Sequence, residues 1–568
     1  MISARRERMC RLLYGLFFAL GTAFLFWKCR YGFGNVDESF YLTIPIRLCQ
    51  GDSLFLHEWH LSQLSGVLLY PLMWLYRMIF PDTVGILFRF RLLFTAIWAI
   101  AALFLFSRLK KFSLVGAMLA SLAFLFYTPF GIMALSYNSM GILLLLCACA
   151  LAVRSERVGT SWFFSGFFLA GAVLCCPYLL ALYLLFTAAV FALLLKGKKS
   201  ALRCWLFFSF GCGLMLALFC LLLFSRASIG ELIAVFPNIF QDPEHSDYNP
   251  LLKLRDYCAC ILLCNRAFIP GLVVFVLSCV LAFRDKGRRI GFSLVCLAAS
   301  GILICFLVEK PYINFLMFPI SLPGLYCVLI SRDQSIRRLF LGMWLPGAVY
   351  SFCLHLSSNQ NYYAISSAST IMAVASIMIL SCHLCEEAWR NSTPPALRKA
   401  AYLALALLLS VQLCGEIYMR YTSVFWESGM REQTALSESG PEKGLLMTPE
   451  RLRYYQLHEN DVNIIRDAEG IQKVLFLSEN TYLYLSAGKE YATYSAWLSG
   501  VNAFSLERLD QYYELFPEKT PDGIYIEAEY AGYAEHFLSY GYVADQLPSG
   551  ALWLTRPLFG DQSLAKRQ

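Results

Sequence analysis

The sequence predicts a mainly α-helical, polytopic membrane bundle of about 13 spans, followed by a small extracytoplasmic α/β domain. Composition is the first ground: of 568 residues, 58% are hydrophobic and 15% charged, and the mean hydropathy is +0.56. That is well above the apolar usage of soluble domains and excludes a soluble multidomain enzyme. Second, apolar runs close to the ~20 residues needed to cross a hydrocarbon core recur from Leu12 to Tyr418. Third, the net charge of +8 is unevenly divided. Residues 421–568 hold 12 basic and 21 acidic residues, net −9, leaving 35 basic against 18 acidic, net +17, in residues 1–420. The domains expected are therefore 1–420, in the membrane, and 421–568, outside it.

The first apolar stretch, Leu12 to Trp27, follows Arg5, Arg6 and Arg8 but has no small-residue cleavage site, so it reads as a retained span. Basic clusters such as Arg108-Lys110-Lys111, Lys196-Lys198-Lys199-Arg203 and Arg332-Arg337-Arg338 mark connections that stay cytoplasmic. Keeping them on one side requires the stretch 61–80, with Gln63, Gly66, Pro71 and Arg77, to be a re-entrant or interfacial helix within one long external loop, 29–84. The spans are then 11–28, 85–106, 113–133, 139–153, 161–176, 178–195, 204–224, 262–283, 290–308, 313–331, 339–356, 369–388 and 400–419. An odd number places the N-terminus in the cytoplasm of a plasma or inner membrane protein and the tail outside. Gly211 and Gly213 mark a close helix approach.

All 21 cysteines precede residue 415, mostly within apolar runs, where a Cys acts as a small hydrophobe rather than a disulfide or zinc ligand. Acids, His, Asn and Tyr gather instead in the external connections 29–84, 134–138, 225–261, 309–312 and 357–368. In the first of these, Gly34-Asn35-Val36-Asp37-Glu38-Ser39-Phe40-Tyr41 opens an amphipathic helix, with Asn35 and Glu38 spaced as a capping box. Asp37 and Glu38 then sit in the first turn, where the helix dipole favours acids. On the residues alone, capping acids and catalytic acids are equally good readings.

An Asp-Glu pair followed by a Tyr, the dipeptide Gly51-Asp52 and a long external loop directly after span one resembles the polyprenyl-phosphate-dependent integral membrane glycosyltransferases of the GT-C type. These include the protein O-mannosyltransferases and the aminoarabinose transferase that modifies lipid A. Leu68-Leu69-Tyr70-Pro71, Arg89-Phe90-Arg91-Leu92, the loop around Gln241-Asp242-Pro243-Glu244-His245 and the short Glu309-Lys310-Pro311-Tyr312 follow in that family's order. The chain departs from it at Ser136-Tyr137-Asn138, where relatives often carry a second acid, and at Leu61-Ser62-Gln63-Leu64, in place of a His-Pro-Pro or Glu-Lys-Pro element.

The resemblance implies transfer of a sugar from a polyprenyl-phosphate donor to an acceptor hydroxyl, glycan, lipid or protein, with inversion at the external face. Asp37 is then the general base and Glu38 orients the acceptor or helps hold a cation. Lys310, with Tyr312 beside it, is the foremost cation for the leaving phosphate, ahead of Arg255 and His245, and Tyr137 and Asn138 read sugar hydroxyls. No organic cofactor is called for; a divalent cation is the one cofactor such a pair could hold. No Walker loop or dinucleotide fingerprint occurs, which counts against a nucleotide-sugar donor, and nothing points to nucleic acid. A transporter or flippase, or a non-catalytic envelope scaffold, is the alternative.

In the tail, Lys473-Val474-Leu475-Phe476-Leu477, Gly523-Ile524-Tyr525-Ile526-Glu527 and Ala551-Leu552-Trp553-Leu554-Thr555 read as strands, and 480–487 and 505–516 as helices. The tail reads as a cap over the external face.

Overall fold

A computed structural model describes residues 4–34, 36–153, 158–239, 249–263, 268–282, 292, 295, 298–299, 316–358, 360–385, 394–422, 424, 428–497 and 505–556. The chain forms two compact units, each assembled from three stretches. The first takes 1–29, 91–218 and 248–429; the second takes 30–90, 219–247 and 430–568. The early loop thus belongs to one folding unit with the tail.

The helices in chain order begin α1 (Ala4–Lys28), α2 (Asp37–Gln50), α3 (Gly66–Ile79), α4 (Ile86–Leu109), α5 (Leu114–Phe126), α6 (Tyr137–Val153), α7 (Val158–Cys175), α8 (Leu180–Leu195) and α9 (Ser200–Phe224). Seven helices among the described residues are long and apolar enough to cross a membrane, and the bent pair Asn361–Ala368 with Thr370–Leu384 makes an eighth. The protein is a multi-pass membrane protein, and the count of thirteen spans expected from sequence is not reached among the described residues. The run 139–153 becomes a helix of 17 residues, and the described part of 313–331 is helical from Met317 to Ile330. Most of 290–308 lies outside the described residues. The connection 225–261 is not an open loop, since it contains the helices Ile229–Ile239 and Pro250–Leu263.

Within the first unit, glycines let helix backbones meet. A Cβ on Gly166 would strike the carbonyl of Phe208, and one on Gly211 would strike the carbonyl of Phe163, so α7 and α9 touch through two reciprocal gaps. Gly213 has open space around it, so only Gly211 of the pair marks the approach. Gly324 similarly admits Ser376, whose hydroxyl donates to Ile320 O at 2.6 Å and accepts from Gly324 N at 3.0 Å. The helix from Gln334 to Leu356 is interrupted by a π turn, Phe340–Trp344, just before Pro346. Proline has no N–H to continue an α ladder, and the wider turn absorbs the mismatch.

In the second unit, β4 (Glu490–Tyr491), β3 (Lys473–Leu477), β5 (Gly523–Ile526), β7 (Leu552–Thr555) and β6 (Val543–Gln546) form one sheet in that order. The β4–β3 and β3–β5 pairs are parallel, while β7 is antiparallel to both β5 and β6. The three strands read from sequence are its centre; β4 and β6 are too short or too polar to stand out. A helix at Pro449–Asp467 is added, with Thr448 accepting from Arg451 N at 3.2 Å and Pro449 at its first position. β1 (Ala435–Leu436) and β2 (Leu446–Met447) form a separate hairpin.

The loop 30–90 is stitched into this unit by backbone bonds. Leu446 N donates to Arg30 O at 2.6 Å, Gly32 N to Leu446 O at 2.8 Å, Trp59 N to Tyr494 O at 2.8 Å and Gly85 N to Gly440 O at 2.9 Å. α3 buries Leu69, Met73 and Tyr76 and exposes Trp74, Leu75, Met78 and Ile79. That outward face needs lipid or another apolar surface, the arrangement expected of an interfacial helix.

Gly211→Val, which forces α7 from α9, should lower stability by about 1–3 kcal/mol by overpacking, whereas Gly213→Val should leave the melting temperature in detergent unchanged. Equal melting of the two variants would show that the glycine gap is not a packing contact.

Candidate functional site

α2 starts at Asp37, with Val36 as its N-cap residue, which has no side-chain acceptor. The capping box read from sequence involves Asn35, which lies outside the described residues. The tail supplies a restraint at this end. Thr481 Oγ1 donates to Val36 O at 2.6 Å and lies 2.6 Å from Ser39 Oγ. Phe40 packs edge-on to His60 and Trp497, with ring centres 4.8 and 5.1 Å away.

Asp37 is partly buried, and burial pushes its carboxyl up to about 6. Desolvation therefore outweighs the dipole at this helix start. Among the described residues its carboxylate has no hydrogen-bond or ion-pair partner. Glu38, next to it, is 2% exposed. It lies on the side of Glu442, a fully buried acid held well above the ordinary carboxyl range by burial, with the charges of Glu459 and Glu38 adding to the shift. The two acids of the pair thus have different surroundings, one partly open and one enclosed.

The other end of α2 is closed by an ion cluster. Gly51, at φ 106°, caps the helix in the left-handed region that suits glycine, and Asp52 N returns to Arg47 O at 3.0 Å. The Arg47 guanidinium donates to Asp52 Oδ2 at 2.7 Å, Glu58 Oε2 at 2.8 Å and Thr493 O at 2.9 Å, and also to His57 O. Lys519 Nζ reaches Asp52 Oδ1 at 2.5 Å. Burial raises the Asp52 carboxyl, but Arg47 and Lys519 overcome it and leave the group below its ordinary value. Burial pushes His57 down to about 4, Lys519 and Arg47 adding to that against the pull of Asp52. The Gly51-Asp52 dipeptide is thus a helix cap and an ion-pair anchor.

Beside the C-terminal half of α2 lies a cavity of about 690 Å³. Gln50, Arg77, Asp82, Glu459, Asn463 and Arg466 give it a polar lining, and Tyr76 and Tyr484 contribute rings. Arg466 is held by two bonds to Ser486 O, at 3.1 and 2.7 Å, and by Asn463 Oδ1 at 2.9 Å. Such amide, carboxylate and guanidinium groups can bond sugar hydroxyls. This cavity has no signal in the sequence, because its walls come from residues some 400 positions apart.

The remaining sequence-derived residues lie elsewhere. Arg255 is in the first unit, 77% exposed, with Asp256 at 3.6 Å, an ordinary surface pair. Tyr137 opens α6, and Asn138 beside it is 7% exposed with an amide oxygen that has no partner among the described residues. His245, Lys310 and Tyr312 lie outside the described residues. The first unit also gathers charges that pattern reading passed over: Lys28, Arg91, Glu416 and Arg420, all at most 5% exposed. Arg420 donates to Phe126 O at 3.0 and 2.7 Å and Arg91 to Cys29 O at 3.1 Å. Their signal was charge inside apolar helices, which in membranes marks function by default. No group of three or more His, Cys, Asp or Glu converges to hold a metal among the described residues.

No protein-family model and no curated protein matches the chain. Among solved structures it is similar to the archaeal oligosaccharyltransferase AglB from Archaeoglobus fulgidus in complex with an inhibitory peptide and a dolichol-phosphate, with a TM-score of 0.48 and 10% identity over 97% of this chain and 75% of that one. The apo form of the Archaeoglobus fulgidus oligosaccharyltransferase gives 0.46 at 10% identity over 97% and 74%. The form tethered by a disulfide bond to an acceptor peptide with the NVT sequon gives 0.47 at 11% over 96% and 74%. No residue role is taken from these likenesses.

Removing Arg47 leaves Asp52 and Glu58 buried without their cation, so Arg47→Met should destabilise the second unit by about 3–5 kcal/mol, read as faster proteolysis of the tail. His57 binds a proton near 6.5 when unfolded and only near 4 when folded. Its contribution to stability is therefore present above 6.5 and lost as pH falls towards 4. His57→Gln should flatten the acid limb of the stability profile between those values; an unchanged limb would show that His57 does not titrate with unfolding.

Proposed function

We propose that the protein is a membrane glycosyltransferase that moves a sugar from a polyprenyl-phosphate donor to an acceptor hydroxyl, with Asp37 as the general base. The observation that supports the reading is the state of Asp37: a partly open carboxylate with no partner among the described residues, pushed by burial up to about 6, on a helix held at both ends. A base is most effective when its pKa lies near the working pH, because it is then ionised and still basic.

The acceptor oxygen attacks the anomeric carbon as its proton passes to Asp37, and the bond from that carbon to the phosphate oxygen breaks with its electron pair remaining on the phosphate. Configuration inverts. Glu38, enclosed beside Glu442, is suited to fixing the first turn of α2, so that the base itself does not swing. Charge grows on the departing phosphate, and fixed cations stabilise it. Lys310 is the cation proposed for it on sequence grounds, ahead of Arg255 and His245. The polar cavity beside Gln50 suits the glycan part of the acceptor. Tyr137 and Asn138 keep a proposed role in reading hydroxyls.

A transporter also keeps ionisable groups inside its bundle, but near mid-membrane. Lys28 is the last residue of α1, and Glu416 and Arg420 fall in the last two turns of Pro395–Thr422. Charges at helix ends are not the mid-membrane groups that a permeation path calls for.

With the full chain in proteoliposomes supplied with a polyprenyl-phosphate sugar, Asp37→Asn should cut transfer by about 10²–10⁴-fold with insertion and tail folding intact. In the wild type, kcat/KM should rise with pH and level off above about 6. Transfer retained by Asp37→Asn would remove Asp37 as the base, and solute flux without a covalent product would favour transport.

A further inference from the structure

The first unit contains a groove of about 870 Å³ that the proposed reaction does not use. Its walls come from the second half of α6 (Leu145 to Val153), from α7 (Trp162 to Leu169), from α8 (Leu182 to Ala189) and from the Leu341–Val349 stretch, with Phe208 of α9. Nearly all these side chains are apolar. The mouth is lateral: Leu185, Leu341 and Leu345 are 54%, 62% and 41% exposed. In a membrane-spanning bundle such a mouth opens to acyl chains, not to water.

Its two ends are unlike. One is formed by Lys111, Phe112, Ser335 and Arg338, on the turn after α4 and the short helix Gln334–Leu339; the other stops among Leu169, Leu182 and Val349. No acidic side chain lines it among the described residues. Asp333, near the charged end, is engaged at its own helix start, accepting from Ser335 N at 2.8 Å. The depth is set by the helix that runs from Arg338 to Val349, eleven residues or about 16 Å. That is about half of a ~30 Å hydrocarbon core, one leaflet.

We infer that this groove holds one anionic diacyl phospholipid, its phosphate against Lys111 and Arg338 and its chains along α6, α8 and Leu341–Val349. Three features select this occupant. Two cations at headgroup depth favour a negative head, as in basic pockets between transmembrane helices. The apolar lining suits acyl chains. The one-leaflet depth matches a phospholipid, while a long isoprenoid chain would overrun the closed end. Trp162 stacks on Phe186 at 5.3 Å between ring centres and Phe208 packs tilted against Phe186 at 4.7 Å, a wall of rings for the chains.

The test uses the full chain in bilayers of equal phosphatidylglycerol and phosphatidylcholine, with retained lipid counted by native mass spectrometry. Two cations, each contributing about 1 kcal/mol near an anionic surface, should make the wild type retain phosphatidylglycerol about thirtyfold over phosphatidylcholine, and the Lys111→Gln/Arg338→Gln variant should bring the two close to parity. A second reading needs no charge substitution. Phosphatidylglycerol brominated midway along its chains should quench the Trp162 share of fluorescence, taken as the difference between wild type and Trp162→Phe, about threefold more than brominated phosphatidylcholine. Equal retention of the two lipids by the wild type, an unchanged preference in the double variant, or equal quenching would each overturn the assignment. Complete displacement of phosphatidylglycerol by a polyprenyl phosphate would give the groove to that lipid instead. None of these outcomes depends on Asp37.

Discussion

Arg47 sits 1% exposed, with its guanidinium shared among two carboxylates and two backbone carbonyls, and the arrangement of the second unit depends on that sharing. Asp52 and Glu58 belong to the early loop, Thr493 to the tail, and Lys519, on Asp52, to another part of the tail. A buried guanidinium is stable only when its charge and its N–H groups are all met. Meeting them requires pieces of chain more than 400 residues apart to arrive in one geometry. The loop is therefore not a flexible connection between spans but a part of the tail's core that happens to be encoded early.

That constraint explains how a carboxylate can be held in an unfavourable state. α2 is anchored at its C-terminal end by Arg47, Gly51 and Asp52, and at its start by Thr481. A helix fixed at both ends cannot tip Asp37 further into water, so burial raises its pKa without relief. The sign follows from linkage: the folded form prefers the protonated acid, so this group stabilises the fold at low pH and loses that contribution as pH rises from about 4 through about 6. At neutral pH Asp37 weakens the unit it sits in.

What the sequence reveals follows from the range of the interactions. Apolar periodicity and basic turns are local, so α4, α8, α9 and the end of α1 are legible to within a few residues, as are strands 473–477, 523–526 and 552–555, whereas α1 begins seven residues before the expected 11. The stretch 61–80, read as a helix short of a full span, holds the 14-residue helix Gly66–Ile79. Span count was not legible, because it depends on where each helix ends and bends: Asn361–Ala368 joins Thr370–Leu384 through a 44° bend that no local pattern marks. Gly211 and Gly213 look alike in sequence, and only the facing carbonyl of Phe163 distinguishes them. The Thr-Pro-Glu-Arg start of the helix at 449 was a local signal available but unread. The ion cluster, the Glu38–Glu442 neighbourhood and the polar cavity were out of reach, since no spacing rule connects residue 52 with 519 or 50 with 466.

The placement of charge in the first unit follows the same physical terms. Lys28, Arg91, Glu416 and Arg420 are all buried, yet Lys28, Glu416 and Arg420 lie near the ends of their helices and Arg91 in the second turn of α4. Arg420 satisfies the Phe126 carbonyl at the end of α5, and Arg91 that of Cys29 just after α1. A charge taken that deep is costly unless its N–H groups are met, so these side chains fix how α1, α4, α5 and Pro395–Thr422 can pack, as Arg47 fixes the second unit.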